Sequence, residues 1–398
     1  RFLIGKFRAQ IEGELAADLE LDASQINYLS HWKAMQRLKE INPKARYELN
    51  HRISQSEVFS ADVLYDYQWN MRQINLDSAL TGVGQEVKNI TVAVIDSGSP
   101  SVNSPAWNAT DFVTGGFDFV SDTSNGDGGG IDNDPTDPDA ESSDLSSHGT
   151  HVATTIGAKN DGLGLNGMAV KVLPLRVFPA GGGSASLYDI KQAILYSAGL
   201  TNDSGAVAPT ANPVKVINLS LGGGSGDCGL FADVAAQGIS VVAAAGNNGD
   251  ESPGTLNYPA SCSNVISVAA TTSVDERAVY SQFNSLVDIA APGGSSDDND
   301  ANGTVDLVPA YGNNTTLQGM QGTSMASPHV SGAIALMYAV DSNMSPMTVN
   351  SYLQNGYLTD DIGQSGKDNS FGYGRLNLAK TIENTLDNIG DTSSTYFY

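Results

Sequence analysis

Aspartate, histidine and serine side chains, each beside a run of apolar or small residues, are the groups in this chain suited to nucleophilic catalysis. Asp96 ends the apolar run Val92-Ala93-Val94-Ile95 and precedes Ser97-Gly98. A carboxylate placed there is half buried where a strand opens to a site, and can orient a base. The ordinary alternative is a turn or helix cap. His148 opens His148-Gly149-Thr150-His151-Val152-Ala153, in which Gly149 allows close approach and the small residues after it suit a tightly packed helix. The pair His148 and His151 would also suit a metal, but no Cys or Glu at ligand spacing accompanies it, so His151 is expected to pack within the helix. Ser324 lies in Gly322-Thr323-Ser324-Met325-Ala326-Ser327-Pro328-His329, ahead of a helix. Free N–H groups and the positive end of the helix dipole collect there. Pro328 is expected in the first turn, where no N–H is needed. The ordinary alternative is a serine N-cap. The segment is not G-x-S-x-G, so the nucleophile elbow of α/β-hydrolases is not matched. In Ala243-Ala244-Ala245-Gly246-Asn247-Asn248-Gly249, the Asn247 amide could join the Ser324 N–H as an oxyanion hole; the alternative is a Gly/Asn turn.

Such residues need a scaffold, and the apolar pattern describes one. Short continuous apolar runs read as buried strands at 90–95, 170–177, 214–219, 239–244, 265–269 and 287–290. Helix-like stretches fall between several of them, at 150–158, 186–198, 228–237 and 324–340. Strand and helix in series predict an α/β fold: a mostly parallel central sheet with helices on both faces. In such sheets the site gathers at the carboxyl ends of the strands.

The chain has 398 residues, of which 40% are hydrophobic, enough for a large packed core. A net charge of −24 argues against nucleic acid and anionic membrane as partners. No run is apolar over the ~18 residues a membrane span needs. Two cysteines, Cys228 and Cys262, fit one structural disulfide in an oxidising compartment; the alternative is two separate buried thiols. Residues 1–60 differ from the rest in being poor in glycine and rich in Lys and Arg, with strand-like, helix-like and extended stretches at 1–7, 30–39 and 46–53. The polar tail, residues 391–398, is expected to fray.

Taken together, Val94-Ile95-Asp96-Ser97-Gly98, His148-Gly149-Thr150-His151, Asn218-Leu219-Ser220-Leu221-Gly222, Ala245-Gly246-Asn247 and Gly322-Thr323-Ser324-Met325-Ala326 resemble the subtilisin-like serine proteases, in their chain order Asp, His, Ser. The resemblance runs from about residue 89 to about residue 378. It implies a three-layer subtilisin-like fold over residues 61–390 and a secreted, monomeric serine endopeptidase acting on proteins and peptides. Asp96, His148, Ser324 and Asn247 would be its catalytic residues. Ser220, Leu221 and Gly222 would pair with the substrate backbone as an added strand. Ala244, Ala245 and Gly246 would form the opposite wall of the first pocket. Small residues on both walls imply a roomy apolar slot that prefers bulky apolar side chains before the cut. Residues 1–60 would be a propeptide remnant that inhibits the enzyme, or an N-terminal extension.

Two acidic loops suit calcium, a hard cation that accepts oxygen ligands in irregular geometry. The first carries Asp127, Asp132, Asp134, Asp137 and Asp139 and resembles a calcium-binding insertion of some bacterial subtilisin relatives. The second carries Asp298, Asp300, Asn302 and Asp306. The alternative for each is a solvated acidic loop. Two other functions are compatible with the sequence: a non-catalytic calcium-binding protein on this scaffold, and a narrow processing protease.

Overall fold

Val92 and Val94 point into one core, Ala93 and Ile95 into another, because successive strand side chains alternate between faces. A strand buried on both faces requires helices on both sides. The computed structural model describes residues 64–84, 88–102, 104–124, 127–139, 147–162, 164–312 and 317–389, and has that architecture. In chain order it runs α1 (Trp69–Gln73), α2 (Leu76–Val83), β1 (Lys88–Asp96), α3 (Pro105–Asn108), β2 (Phe117–Asp118), α4 (His148–Gly157), β3 (Val170–Arg176), α5 (Leu187–Ser197), β4 (Val214–Leu219), α6 (Gly229–Ala236), β5 (Ser240–Ala244), β6 (Val265–Thr271), β7 (Ile289–Pro292), β8 (Val308–Tyr311), β9 (Leu317–Met320), α7 (Thr323–Val340), α8 (Pro346–Gln354), β10 (Thr359–Asp360), β11 (Arg375–Leu376) and α9 (Leu378–Asn388).

The main sheet has the order β10-β11-β7-β6-β5-β4-β1-β3-β2. Its pairings are parallel except β10 with β11. β1 lies between β3 and β4, so the chain builds outward from β1 on one side and then on the other. The crevice where that order reverses, between the carboxyl ends of β1 and β4, is the favoured place for a site. α5 and α6 cover one face through Ile190, Ala193, Ile194, Leu230, Phe231 and Val234. The other face packs on α4 and α7, with α8, α9 and the α1–α2 segment behind them. α7 is apolar and small on nearly every side because it is enclosed on nearly every side. A Cβ on its Gly332 would come within 2.3 Å of Met168 Sδ.

The runs expected as strands are found, with ends shifted by a few residues at most. The hairpin β8–β9 and the helices α1, α2, α8 and α9 were not anticipated. Cys228 and Cys262 are joined as a disulfide, their Cα atoms 5.3 Å apart across a separation of 34 residues. On a chain-entropy account that crosslink stabilises the fold by about 4 kcal/mol. Residues 1–60 and the tail 391–398 lie outside the described residues, as do the strand-like and helix-like stretches expected there. Among the described residues, no helix is long and apolar enough to cross a membrane.

Two fully buried histidines tie the elements together. His151 on α4 donates Nε2–H to the Val308 carbonyl of β8 at 2.9 Å. His329 on α7 donates Nδ1–H to the Met325 carbonyl at 2.8 Å and accepts from Asn70 Nδ2 of α1 at 2.9 Å. Burial pushes their pKa values down, to about 3 for His151 and about 4 for His329. In the unfolded chain both titrate near their ordinary value of 6.5. The stability they contribute is therefore complete above pH 6.5 and is lost as pH falls toward the folded values. Replacing His329 with Gln should flatten the pH dependence of the urea midpoint between pH 6.5 and 4. A slope equal to the parent's would place the acid sensitivity elsewhere.

Candidate active site

Asp96 is the last residue of β1 and is fully buried. Its Oδ1 accepts from the Ser97 N–H at 2.7 Å and from His148 Nδ1 at 2.7 Å. His148 is the first residue of α4, and its side chain is 35% exposed, so its ring reaches both the buried carboxylate and the cleft. Partial burial lowers the imidazole pKa, but the Asp96 charge and hydrogen bond outweigh it, and the net shift is upward from 6.5. That is the electrostatics of a base whose protonated form is stabilised when it takes up a proton.

Ser324 is the second residue of α7. Its Oγ donates to the Ser220 carbonyl at 3.2 Å, while Ser220 Oγ donates to the Ser324 carbonyl at 2.8 Å. The second bond explains Pro328, which lies in the second turn of α7 rather than the first. Proline has no N–H to give the carbonyl four residues back. The carbonyl left open is that of Ser324, and Ser220 fills it. Asn218, buried near the end of β4, completes the joint: its Nδ2 donates to Ser220 Oγ, and its Oδ1 accepts from Ser327 and Ser331 of α7. The sequence places Asn218 in the motif Asn218–Gly222 but does not show this joint, although a polar residue inside the apolar run Val214–Leu219 is a signal for it.

Asn247 is exposed in the loop after β5. Its Oδ1 accepts from both the N–H and the Oγ of Thr323, at 2.8 and 2.9 Å. With the carbonyl oxygen held, the amide NH₂ remains as the donor. It faces the start of α7, 3.4 Å from where a Gly322 Cβ would stand. Gly322 has φ of 151° and donates its N–H to the Gly293 carbonyl and to Tyr280 Oη.

The subtilase family model matches residues 87–374. The chain belongs to the subtilase family. It is 40% identical over 294 residues to an extracellular protease of Xanthomonas campestris, covering 66% of this chain and 46% of that one. It is 32% identical over 334 residues to the extracellular basic protease of Dichelobacter nodosus, covering 76% and 52%. Among solved structures, one of proteases from Pseudoalteromonas arctica superimposes with a TM-score of 0.68 at 32% identity, over 82% of this chain and 99% of that one. This subtilase spans about half the length of the first relatives it matches.

In this subtilase, Ser220, Leu221 and Gly222 leave β4 beside Ala244, Ala245 and Gly246 leaving β5, since Leu219 pairs with Ala243. Beside these two segments stands Asn257, a polar residue that the sequence did not mark out. Asn257 Nδ2 donates to the Ala245 carbonyl at 2.8 Å, and Asn257 Cβ lies 3.9 Å from where a Gly222 Cβ would stand. One side chain therefore bonds the segment after β5 and lies beside the segment after β4.

The two acidic loops differ. In the first, Asp127, Asp132, Asp134 and Asp137 each accept an N–H from two residues further on, at 2.8–3.0 Å, and Asp139 accepts from the Gly181 N–H. The loop lies over the fully buried Arg176, which donates to Asp118 at 2.7 Å and stands 3.6 Å from Asp127. Among the described residues, no three of these five carboxylates converge on one point. In the second loop, one oxygen each of Asp298, Asp300 and Asp306 lies within 4.8 Å of the others. Asn302 does not present its oxygen to that group: Oδ1 accepts from Thr304, and Nδ2 donates to Asp300.

Proposed function

We propose that this subtilase is a secreted serine endopeptidase acting on proteins and peptides through an acyl-enzyme. The observation that supports the reading is the 2.7 Å Asp96–His148 pair at the carboxyl end of β1, beside β4, just past whose end Ser220 bonds Ser324 in both directions. An entering substrate strand, added along Ser220–Gly222, takes over the Ser220 carbonyl with its own N–H. Ser324 Oγ then turns to His148, gives up its proton and attacks the scissile carbonyl. Asp96 holds the imidazole in its Nδ1–H tautomer and stabilises the imidazolium. Asn247 Nδ2 and the Ser324 N–H receive the oxyanion. His148 returns the proton to the leaving amine, and water releases the acyl group.

The small-residue walls favour a bulky apolar side chain before the cut, and Asn257 limits how deep it goes. Asn257→Gly should raise kcat/KM for Phe over Ala peptides by about tenfold. An unchanged ratio would remove Asn257 from the pocket floor. Asp298, Asp300 and Asp306 form a set of hard oxygen donors that fits calcium. Chelation should lower Tm by about 5 °C or more at calcium levels that saturate the site, and Asp306→Asn should abolish the dependence. A Tm indifferent to chelator would exclude that site. Residues 1–60 act as an inhibitory propeptide, and the enzyme works as a monomer without nucleic acid or membrane.

The test is hydrolysis of a chromogenic peptide ending in Phe, by the full chain and after removal of residues 1–60, with calcium and with chelator. Turnover weakened by chelator is expected. Failure to cut any member of a peptide library under all these conditions would end the peptidase reading.

A further inference from the structure

Helix α4, which presents His148, starts without a cap from its own N-cap residue. Ser147 makes no side-chain bond to the helix N–H groups; its Oγ donates to Gln318 Oε1 instead. A helix start leaves N–H groups that need acceptors. That of Gly149, next to His148, finds one on another element: Ser97 Oγ at 3.0 Å. Ser97 also donates its backbone N–H to Asp96 Oδ1, the oxygen that holds His148. One residue therefore bonds both Asp96 and the residue that follows His148.

A serine hydroxyl has a single proton and can cap an N–H only with a lone pair turned toward it. Ser97 Oγ donates to Asp137 Oδ2 at 3.1 Å while it accepts from the Gly149 N–H. Asp137 is 4% exposed and well fixed. Its Oδ1 accepts from the Asp139 N–H at 3.0 Å, and its own N–H donates to the Ser99 carbonyl at 2.9 Å. The Ser99 N–H donates to the Pro135 carbonyl at 2.9 Å, which fastens the acidic loop to the segment after Asp96. There is no slack at this joint: a Cβ on Gly98 would come within 2.5 Å of Pro135 O, and one on Gly149 within 2.5 Å of Gly98 O.

We infer that Asp137 is a positioning residue: by fixing the Ser97 hydroxyl proton it makes Ser97 the cap of α4, and so sets His148 against Asp96. The inference rests on the peptidase reading for its rate readout and on geometry alone for its spectroscopic one. It gives the acidic loop a task in catalysis besides any toward cations.

The test uses the full chain and four variants: Asp137→Ala, Asp137→Asn, Ser97→Ala and the double alanine variant, each checked for folding by thermal melting. Asp137→Ala should lower kcat about tenfold with KM changed less than about twofold. Asp137→Asn keeps one amide oxygen for two donors, the Ser97 hydroxyl and the Asp139 N–H, and should recover only part of the loss. The double variant should lose no more than Ser97→Ala alone, because both act through one hydroxyl. The proton NMR resonance of His148 Nδ1–H should move in Asp137→Ala and move less in Asp137→Asn. Should Asp137→Ala not fold, Ser97→Ala carries the same expectation for kcat and for the resonance. Losses that multiply in the double variant, a loss reversed by added calcium, or a resonance unmoved by either single alanine variant would overturn the inference. A parent chain without turnover whose resonance follows this order would refute the peptidase reading and leave the positioning role standing.

Discussion

Ser324→Ala is expected to lower kcat/KM toward a chromogenic Phe peptide by about 10⁴–10⁶-fold, a magnitude taken from measured subtilisin triads rather than calculated for this chain. The fold should survive the change. The bond from Ser220 Oγ to the Ser324 carbonyl uses backbone on the Ser324 side, so it persists and still satisfies the acceptor that Pro328 leaves open. What is lost is one hydroxyl and its 3.2 Å bond to the Ser220 carbonyl, worth about 1 kcal/mol. Rate and stability should therefore separate: near-complete loss of turnover with Tm almost unmoved. Peptide affinity should persist, because Ser220–Gly222 and Ala244–Gly246, the proposed substrate contacts, are untouched. A serine-directed covalent inhibitor should label the parent and not the variant. Hydrolysis retained within tenfold would mean that the chemistry occurs at another group, whatever the family membership.

The residues with the most chemistry were the most legible. Asp96, His148, Asn247 and Ser324 sit where apolar runs end or helices begin, and those boundaries can be read from composition alone. The sheet was legible for a related reason: a parallel strand buried on both faces is a continuous apolar run, as in Ser240–Ala244. The helices α8 and α9 were not, because a single buried stripe such as Val349, Tyr352 and Leu353 is a weak signal among polar residues. Contacts between distant segments were hidden altogether. Nothing in the order of residues brings Asn257 across to the Ala245 carbonyl, Ser220 to the carbonyl opened by Pro328, or Asp137 to Ser97. The acidic loops show the limit of composition most directly. The two look alike as strings of Asp and Gly. Yet one spends its carboxylates on its own N–H groups above a buried Arg176, and the other gathers three of them at one place.

Asp96→Asn should cost about 10⁴ in kcat, as charge-removing changes at this triad position do in serine proteases, and should also move the acid limb of the rate profile. Asparagine is nearly isosteric, and its amide oxygen can take the Oδ1 place, accepting from the Ser97 N–H and from His148 Nδ1. With the oxygen there the ring keeps its place and tautomer and the change is one of charge; with the NH₂ turned to Nδ1 instead, the ring holds its proton on Nε2 and cannot accept that of Ser324. In the parent, the Asp96 charge and hydrogen bond outweigh burial and raise the His148 pKa above 6.5. Activity needs neutral His148, because a protonated ring has no lone pair for the Ser324 proton. kcat/KM in the parent should therefore fall as pH drops through that raised value. Without the carboxylate the raising cause is gone while the burial that lowers the pKa remains, so the variant's limb should lie at lower pH. The ratio of parent to variant should be largest on the neutral plateau and should shrink as pH falls, since the parent loses its base first. Measuring kcat/KM for both across the acid range, with NMR titration of the His148 ring, checks the sign twice. Coincident limbs, with the ring titrating at the same pH in both proteins, would mean that Asp96 orients His148 without setting its basicity. The lost rate would then have to come from tautomer and geometry alone.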